Sequence, residues 1–537
     1  MADPLCNGLH STSYQTASFF YKIPETLAGE RDLAYRLMTT TSQAAMQNQS
    51  NSQHIDYVRT KETQKEKKSS RNNVMSHATL PLSVGLLSLL VTTGCQRQVD
   101  SQKIQASTTP TKEPPKATLF ENVRVFDGTS KALSKSVNVL VVNNTIQAIS
   151  TTPIKEPAGV TTLRLAGAGR TLMPGLIDAH VHLYLNIEPK VLLNPKTPSE
   201  KLEELARVNG KAALMSGFTT VRDMAGPVFK LKEAIDRGDV EGPRIYPSGT
   251  IISQTSGHGD FTESPDLPHS LGGPLPIASK RGASTIADGP DQVLTAVRYN
   301  LRQGASQIKV AAGGGIASSF DPIEVTEYTY PELRAAVQAA SDYGAYVSAH
   351  AYTPASVRRC VAAGIKVIEH GQSLDEATVK LLRDKGVWMS MQIFEELPSS
   401  FSQLQRDKNH QVIQNQSNAW KWALKYGVKV AWGTDFLFGS PLYGPAQNAA
   451  LVQTKTWMSP AQTLKVATHD NAQLLALSGI RNPYPGQLGV VKPGAYADLL
   501  LVDGDPTKNL DVIGNPARNF RIIMKNGKIY KNTLPKT

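Results

Sequence analysis

Residues 171–183 read TLMPGLIDAHVHL, an apolar run that ends in His180-Val181-His182. In an extended strand, residues i and i+2 leave the same face. Both imidazoles can therefore reach one ion from the end of a single strand, and neutral imidazole is the commonest side-chain metal ligand. A bare pair of this kind also fits two unrelated histidines at a strand end. The remainder of the chain has to decide between the two readings.

Working outward, four more strand-like segments carry a polar residue at or near their C-terminal ends. They are Ser306–Ala312 with Lys309, Ala345–Ala351 with His350, Lys366–Gly371 with His370, and Lys429–Phe436 with Asp435. Each is a short β-branched or apolar run closed by glycine or a turn. Phe218–Met224, Arg244–Ile252 and Val387–Ile393 read as further strands, which brings the total to eight. Helical patterns separate most of them, over Ser199–Met215, Asp291–Gln303, Tyr330–Tyr343 and Glu376–Lys385. Strands alternating with amphipathic helices predict an α/β fold with a parallel sheet, and eight units predict a TIM (β/α)8 barrel. Polar residues at the C-terminal ends of barrel strands line the mouth, where chemistry takes place.

The order HxH, Lys, His, His, Asp on successive strands resembles the amidohydrolase superfamily in its two-metal form. The resemblance runs from Ala117 to Lys531. It implies that His180, His182 and Asp435 hold one divalent ion, that His350 and His370 hold a second, and that Lys309, carboxylated by carbon dioxide, bridges them. Nitrogen and carboxylate donors suit zinc, and manganese or cobalt also fit. An unmodified ammonium could not bridge two cations, whereas the carboxylated side chain is an anionic oxygen ligand. Hydroxide held between the ions would attack a carbonyl, and Asp435 would relay its proton to the leaving nitrogen. Taken alone, Lys309 also fits a phosphate-binding or Schiff-base lysine, His350 and His370 fit core histidines, and Asp435 fits a turn residue.

Glu369–Gly371 (EHG), His350–Pro354 (HAYTP) and Gly257–Asp260 (GHGD) narrow the resemblance. Together they are similar to the imidazolonepropionase-related branch that contains Xaa-Pro dipeptidases and ochratoxin-degrading amidohydrolases. That branch implies cleavage of an amide next to a C-terminal carboxylate, in an Xaa-Pro dipeptide or an N-acyl amino acid. Lys309 argues against imidazolonepropionase activity itself, because those enzymes lack the bridging lysine. His258, in the loop after the third strand, is expected to orient the substrate carbonyl or carboxylate; an idle loop histidine is the alternative. Tyr352 either faces the pocket as a substrate contact or packs beneath the loop. Gly313-Gly314-Gly315 either lets backbone approach a ligand or forms a plain turn. Arg222 could meet a substrate carboxylate, or pair with Asp223 or a neighbouring strand.

The 537-residue chain carries a net charge of +12, but its basic residues are scattered. No aromatic-interleaved basic stripe points to nucleic acid. Three cysteines, Cys6, Cys95 and Cys360, form no paired framework, and Cys360 is expected to pack inside a helix. Residues 1–74 are polar and aperiodic and read as a disordered or non-native extension. Residues 75–95 contain the apolar run Thr79–Val91 and end in Thr92-Thr93-Gly94-Cys95. This resembles a bacterial lipoprotein signal, which implies acylation of Cys95 and a lipid anchor in the cell envelope. Thr92 stands where leucine is usual, and Gln96 after the cysteine implies the outer membrane. Residues 96–116 read as a flexible tether. Residues 117–172 and 481–537 hold short alternating strands, and the resemblance implies that they form one small β-sandwich beside a barrel spanning 173–480.

A lactonase or cyclic-amide hydrolase with the same binuclear site remains an enzymatic alternative. A catalytically dead substrate-binding lipoprotein is the alternative from another class. The expected partners are a small amide or dipeptide, the membrane through the anchor, and a second copy of the chain as a possible homo-oligomer.

Overall fold

The computed structural model describes residues 116–535, apart from 263–264 and 440. The extension over 1–74, the signal over 75–95 and all of the tether except Lys116 lie outside the described residues. The described chain begins with five strands: β1 (Lys116–Val125), β2 (Ser136–Val142), β3 (Thr145–Ser150), β4 (Thr161–Ala166) and β5 (Thr171–Pro174). β2 pairs antiparallel with β1 and β3, while β4 and β5 run parallel to β1. The stretch 171–183 is thus two strands, because Pro174 has no N–H and Gly175 follows it. Gly175 sits so close to Thr219 that a Cβ there would lie 2.1 Å from Thr219 Oγ1.

β6 (Leu176–Val181), β7 (Phe218–Asp223) and β8 (Arg244–Pro247) form a three-stranded parallel sheet in chain order. β9 (Ile251–Ser253), β10 (Ser284–Ile286), β11 (Ile308–Ala311), β12 (Val347–Ala351), β13 (Val367–His370), β14 (Trp388–Met391) and β15 (Val430–Trp432) follow. They form a second parallel sheet in the order β10-β9-β11-β12-β13-β14-β15. The single strand expected over Arg244–Ile252 is divided. Pro247 cannot extend the ladder, and Gly249 turns the chain in the left-handed region at φ 76°. The sheets meet through Ser306 N–H to Pro247 O (2.8 Å), which joins the end of β8 to the residues entering β11. At the other end, the Asn471 amide donates to Ile177 O (2.7 Å) and Trp432 O (2.8 Å), linking β6 to β15.

Helices cross between the parallel strands, among them Ser199–Met215, Pro290–Gln303, Tyr330–Asp342, Glu376–Lys385 and Gln403–Tyr426. Their ends follow local chemistry. Thr329 with Glu332, and Ser402 with Gln405, form capping boxes, and left-handed Gly304 and Gly427 close two C-termini. Strand alternation then sorts the side chains. Ile308, Val310, Ala349, Ile368 and Met389 join the hydrophobic cluster that contains the helix residues Val297, Ala336, Val357 and Trp420. Lys309, Ser348, Glu369 and Ser390 alternate with them and are just as buried.

The last strands, β16 (Leu499–Val502), β17 (Phe520–Lys525) and β18 (Lys528–Asn532), return to the first sheet. β16 lies antiparallel to β5, giving the order β18-β17-β16-β5-β1-β2-β3 with β4 beside β1. Both ends of the described chain therefore share one hydrogen-bonded sheet. Residues 486–497 run beside the start of β3, with Ile146 N–H bonded to Ala495 O (2.9 Å) and Ala497 N–H to Asn144 O (2.8 Å). Asn526-Gly527 is a two-residue hairpin loop with φ 54° and 74°, both left-handed as a type I′ turn requires.

A Cβ at Gly527 would lie 1.7 Å from Asn143 O. Gly527→Ala is therefore expected to lower unfolding stability by roughly 1–3 kcal/mol in chemical denaturation. Lys525 donates to Gly242 O at 2.6 Å, and burial pushes its pKa from 10.5 to about 8. The unfolded state thus binds more protons than the native state between those values, so stability rises with pH there. Relative to Lys525→Met, the wild type is expected to gain stability between pH 8 and pH 10, measured by denaturation at several pH values.

Candidate active site

β6 delivers His180 and His182 to one face, while Val181 packs into a separate apolar cluster. Three residues past β15, Asp435 closes on both. Donor atoms of His180, His182 and Asp435 lie within 4.8 Å of one another, and Asp435 Oδ1 is 3.1 Å from His182 Nε2 and 3.3 Å from His180 Nε2. Asp435 is left-handed at φ 56°, and its N–H donates to His180 O at 2.8 Å. Gly433 permits this approach, since a Cβ there would lie 2.4 Å from His180 N. The buried Asp178 carboxylate locks the junction, accepting from Thr434 Oγ1 (2.7 Å), Gln447 Nε2 (3.0 Å) and His180 N (3.2 Å). Burial works to raise the Asp435 pKa, but the surrounding imidazoles outweigh it and hold the carboxyl well below its usual range.

His350 and His370 sit beside this trio, with ring centroids 4.4 Å apart, and His370 lies 5.2 Å from the ring of His180. Burial drives His180 down to about 4 and His350 and His370 well below 6.5, so all three are neutral. Lys309 is 2% exposed, and burial lowers its amine to about 8, although the charges of Glu369 and Asp435 act in the opposite sense. The trio makes a compact donor group; His350, His370 and Lys309 surround it without that same convergence.

Outer hydrogen bonds decide which ring nitrogens remain free. His180 Nδ1 is held by Glu369 Oε2 at 2.8 Å, which leaves Nε2 for the site. His370 Nδ1 is held by Gln392 Oε1 (2.8 Å), and His350 Nε2 by Gly314 O (3.1 Å). His180 Nε2 and His182 Nδ1 are buried with no hydrogen-bond partner. With Nδ1–H given to Glu369, the His180 Nε2 lone pair faces an anionic carboxylate oxygen 3.3 Å away. Two acceptors so placed repel unless a cation lies near both, and nitrogen with carboxylate oxygen is a donor set that a zinc-like ion takes. The residues present therefore fit a metal.

All eight predicted site residues, His180, His182, His258, Lys309, His350, Tyr352, His370 and Asp435, line one cavity of about 510 Å³. Its other walls are mostly apolar, with Leu185, Phe261, Ile316, Phe394 and Phe438 among them, and no arginine lines it among the described residues. The His258 ring stacks on His350 at 3.9 Å, and the Tyr352 ring stacks on His370 at 5.0 Å. His258 N–H donates to Glu327 Oε1 at 2.9 Å, and burial raises that carboxyl to about 9, so it is held as a neutral acid. Cys360 is buried in its helix with a thiol pushed up to about 12 by burial, far from a reactive thiolate.

Arg222 does not reach the cavity. It is fully buried, and Nη2 donates to Glu369 Oε1 (2.8 Å) and Oε2 (2.9 Å), while Nε donates to Ala179 O (2.5 Å). The neighbouring-strand alternative is the one realised, and a substrate carboxylate has no access to this guanidinium. Glu369 is the residue whose role sequence reasoning missed. Strand alternation sends Glu369 and His370 to opposite faces, yet both meet His180, because His370 turns left-handed at φ 79°. The only signal was an acidic residue inside an otherwise apolar strand. Removing the guanidinium would leave a buried carboxylate without its counter-ion. Arg222→Met is expected to cost about 3–5 kcal/mol in denaturation, with part recovered in the double variant Arg222→Met/Glu369→Gln.

The sequence profile of the amidohydrolase family matches residues 171–530. The ochratoxinase of Aspergillus niger is 33% identical over 377 residues, covering 67% of this chain and 75% of that enzyme. The imidazolonepropionase of Ectopseudomonas mendocina is 26% identical over 433 residues, covering 78% of this chain and 99% of that enzyme. The crystal structure of a prolidase complexed with N-methylphosphonate-L-proline superposes with a TM-score of 0.70 at 30% identity, covering 78% of this chain and all of that one. With the profile spanning the donor-bearing strands from His180 to Asp435 and relatives aligned along most of their length, the chain belongs to the amidohydrolase family.

Proposed function

We propose that this protein is a binuclear metal-dependent amidohydrolase on a closed (β/α)8 barrel with a β-sandwich at its side. It cleaves an amide next to a C-terminal carboxylate, in an Xaa-Pro dipeptide or an N-acyl amino acid. The observation that carries the reading is the buried meeting of His180, His182 and Asp435, with unpartnered ring nitrogens, at a cavity also lined by His350, His370 and Lys309. His180, His182 and Asp435 would hold one ion, His350 and His370 the other, and Lys309, carboxylated, would join them. A neutral amine is the form that reacts with carbon dioxide, and the lowered pKa of Lys309, about 8, makes that form accessible. When bound, two zinc-like ions supply an activated water and polarise the amide carbonyl.

The chain's own residues do the rest. Asp435, held anionic, accepts the proton of the attacking water and passes it to the leaving nitrogen. His258 and Tyr352 stack against the histidines and orient the substrate. The apolar walls exclude water and receive the substrate's side chains. The prolidase relative solved with a phosphonate-proline supports the Xaa-Pro half of the reading, and the ochratoxinase supports an amide substrate. The segment ending at Cys95 supports a lipid-anchored enzyme in the cell envelope.

Metal content of the purified protein, read beside hydrolysis of an Xaa-Pro and N-acyl amino acid panel, tests this. Two ions per chain and release of the C-terminal amino acid are expected. Chelation should abolish turnover, and zinc with bicarbonate should restore it. His180→Ala, Lys309→Ala and Asp435→Asn should each lose at least ~10³-fold in kcat while remaining folded. Near-normal activity in all three would sink the mechanism. Two ions with lactone but no amide cleavage would move the enzyme to another substrate class.

A further inference from the structure

Residues 313–325, the loop after β11, touch two of the cavity's histidines at once. Gly314 O accepts from His350 Nε2 at 3.1 Å. Ser318 Oγ lies 2.8 Å from His258 Nδ1, and Asp321 Oδ2 lies 3.3 Å from the same atom. The ring rests directly on the loop backbone: a Cβ at Gly315 would lie 2.0 Å from His258 Nδ1. Asp321 is 1% exposed, and Oδ2 also accepts from Gly315 N–H at 2.7 Å. A buried carboxylate in such a loop needs a counter-ion, and Lys408 supplies it from the helix Gln403–Tyr426.

Lys408 is 5% exposed, and Nζ donates to Gly315 O (2.9 Å), Ser318 O (3.0 Å) and Asp321 O (2.8 Å). Its Nζ also lies 3.4 Å from Asp321 Oδ1. An ammonium has three hydrogens. All are engaged by the loop, so Lys408 has none left for a substrate. What this clamp determines is the posture of one imidazole. His258 Nδ1 is taken by Ser318 and Asp321, while its Nε2 has no hydrogen-bond partner among the described residues on a ring that lines the cavity.

We propose that Asp321, braced by Lys408, is a positioning residue that fixes the orientation and tautomer of His258 so that Nε2 meets the substrate. This rests on the amidohydrolase reading of the cavity. A carboxylate can only accept, so it selects the tautomer with the proton on Nδ1; with leucine in its place only the Ser318 hydroxyl remains, which can donate as well as accept, and that selection is lost. Lys408 acts at one remove, by holding the loop that carries Asp321 and Ser318.

The test compares wild type with Asp321→Leu and Lys408→Met, the latter changing no atom that touches His258. Against the best substrate of the panel, both are expected to lose about 10²-fold in kcat, with KM within about threefold and bound metal unchanged. Unaltered kcat in both, or a loss that tracks metal content, would overturn the proposal. A second measurement needs no turnover: the ¹⁵N-histidine spectrum, with His258 assigned by its absence in His258→Gln and recorded where the ring is neutral. The proton is expected on Nδ1 in wild type and displaced towards Nε2 in Asp321→Leu; the same pattern in both proteins would overturn the proposal. If wild type cleaved no amide, the hydrolase reading would fail, and this spectrum would still decide the role of Asp321.

Discussion

The buried ion pair of Arg222 and Glu369 is the constraint around which the site is built. Neither side chain has measurable exposure, and desolvating two charges is costly unless every lone pair and proton is matched. Here the matching is spread over five strands. Arg222 stands on β7 and reaches Ala179 on β6, Glu369 on β13 and Ser390 on β14. Glu369 in turn takes the Ser348 hydroxyl of β12 and the His180 imidazole of β6. Unlike hydrophobic contacts, these bonds tolerate little displacement, so they set the relative positions of the strands that carry the donors. They also settle which nitrogen His180 offers.

A second layer of constraint lies at the strand ends. His370 and Asp435 are non-glycine residues in the left-handed region, a conformation that persists only when the surroundings over-determine it. For Asp435 the surroundings are explicit: its own N–H on His180 O, and Asp178 holding Thr434 beside it. The result is the neutral imidazoles of His180, His350 and His370 near one anionic carboxylate, with the His180 Nε2 lone pair directed at Asp435 Oδ1. Such a cluster is unfavourable by itself and favourable around cations. The apolar walls of the cavity lower the local dielectric and amplify both effects.

The cavity is therefore divided chemically. One end carries the histidines, Lys309 and Asp435, and the remainder is mostly apolar, built from alanine, leucine, phenylalanine and isoleucine. Arg222 is enclosed and the three hydrogens of Lys408 are engaged by the loop, so the polar side chains lining the cavity beyond the donor cluster include Glu395, Glu396, Gln405, Asn409, Gln453 and, stacked on His350, His258. Its setting is assembled from far-apart pieces, since Lys408 lies 87 residues beyond Asp321 in the chain.

Much of this was legible in the residues themselves. Lys309 between Ile308 and Val310, and His350 between Ala349 and Ala351, show a polar side chain alternating with small or apolar ones. That pattern, repeated with helical stretches between, determines that these segments are strands and which of their residues alternate, because a strand has a period of two. The sequence likewise determined the helix ends, through capping residues that act within one turn. Tertiary structure decided the rest. It split Arg244–Ile252 at Pro247, enclosed Arg222 instead of exposing it, brought Glu369 and His370 to one centre against their alternation, and seated Lys408 beneath the loop of Asp321. Each of these depends on which distant partner satisfies a buried charge or a turned backbone, and local periodicity carries no information about that partner.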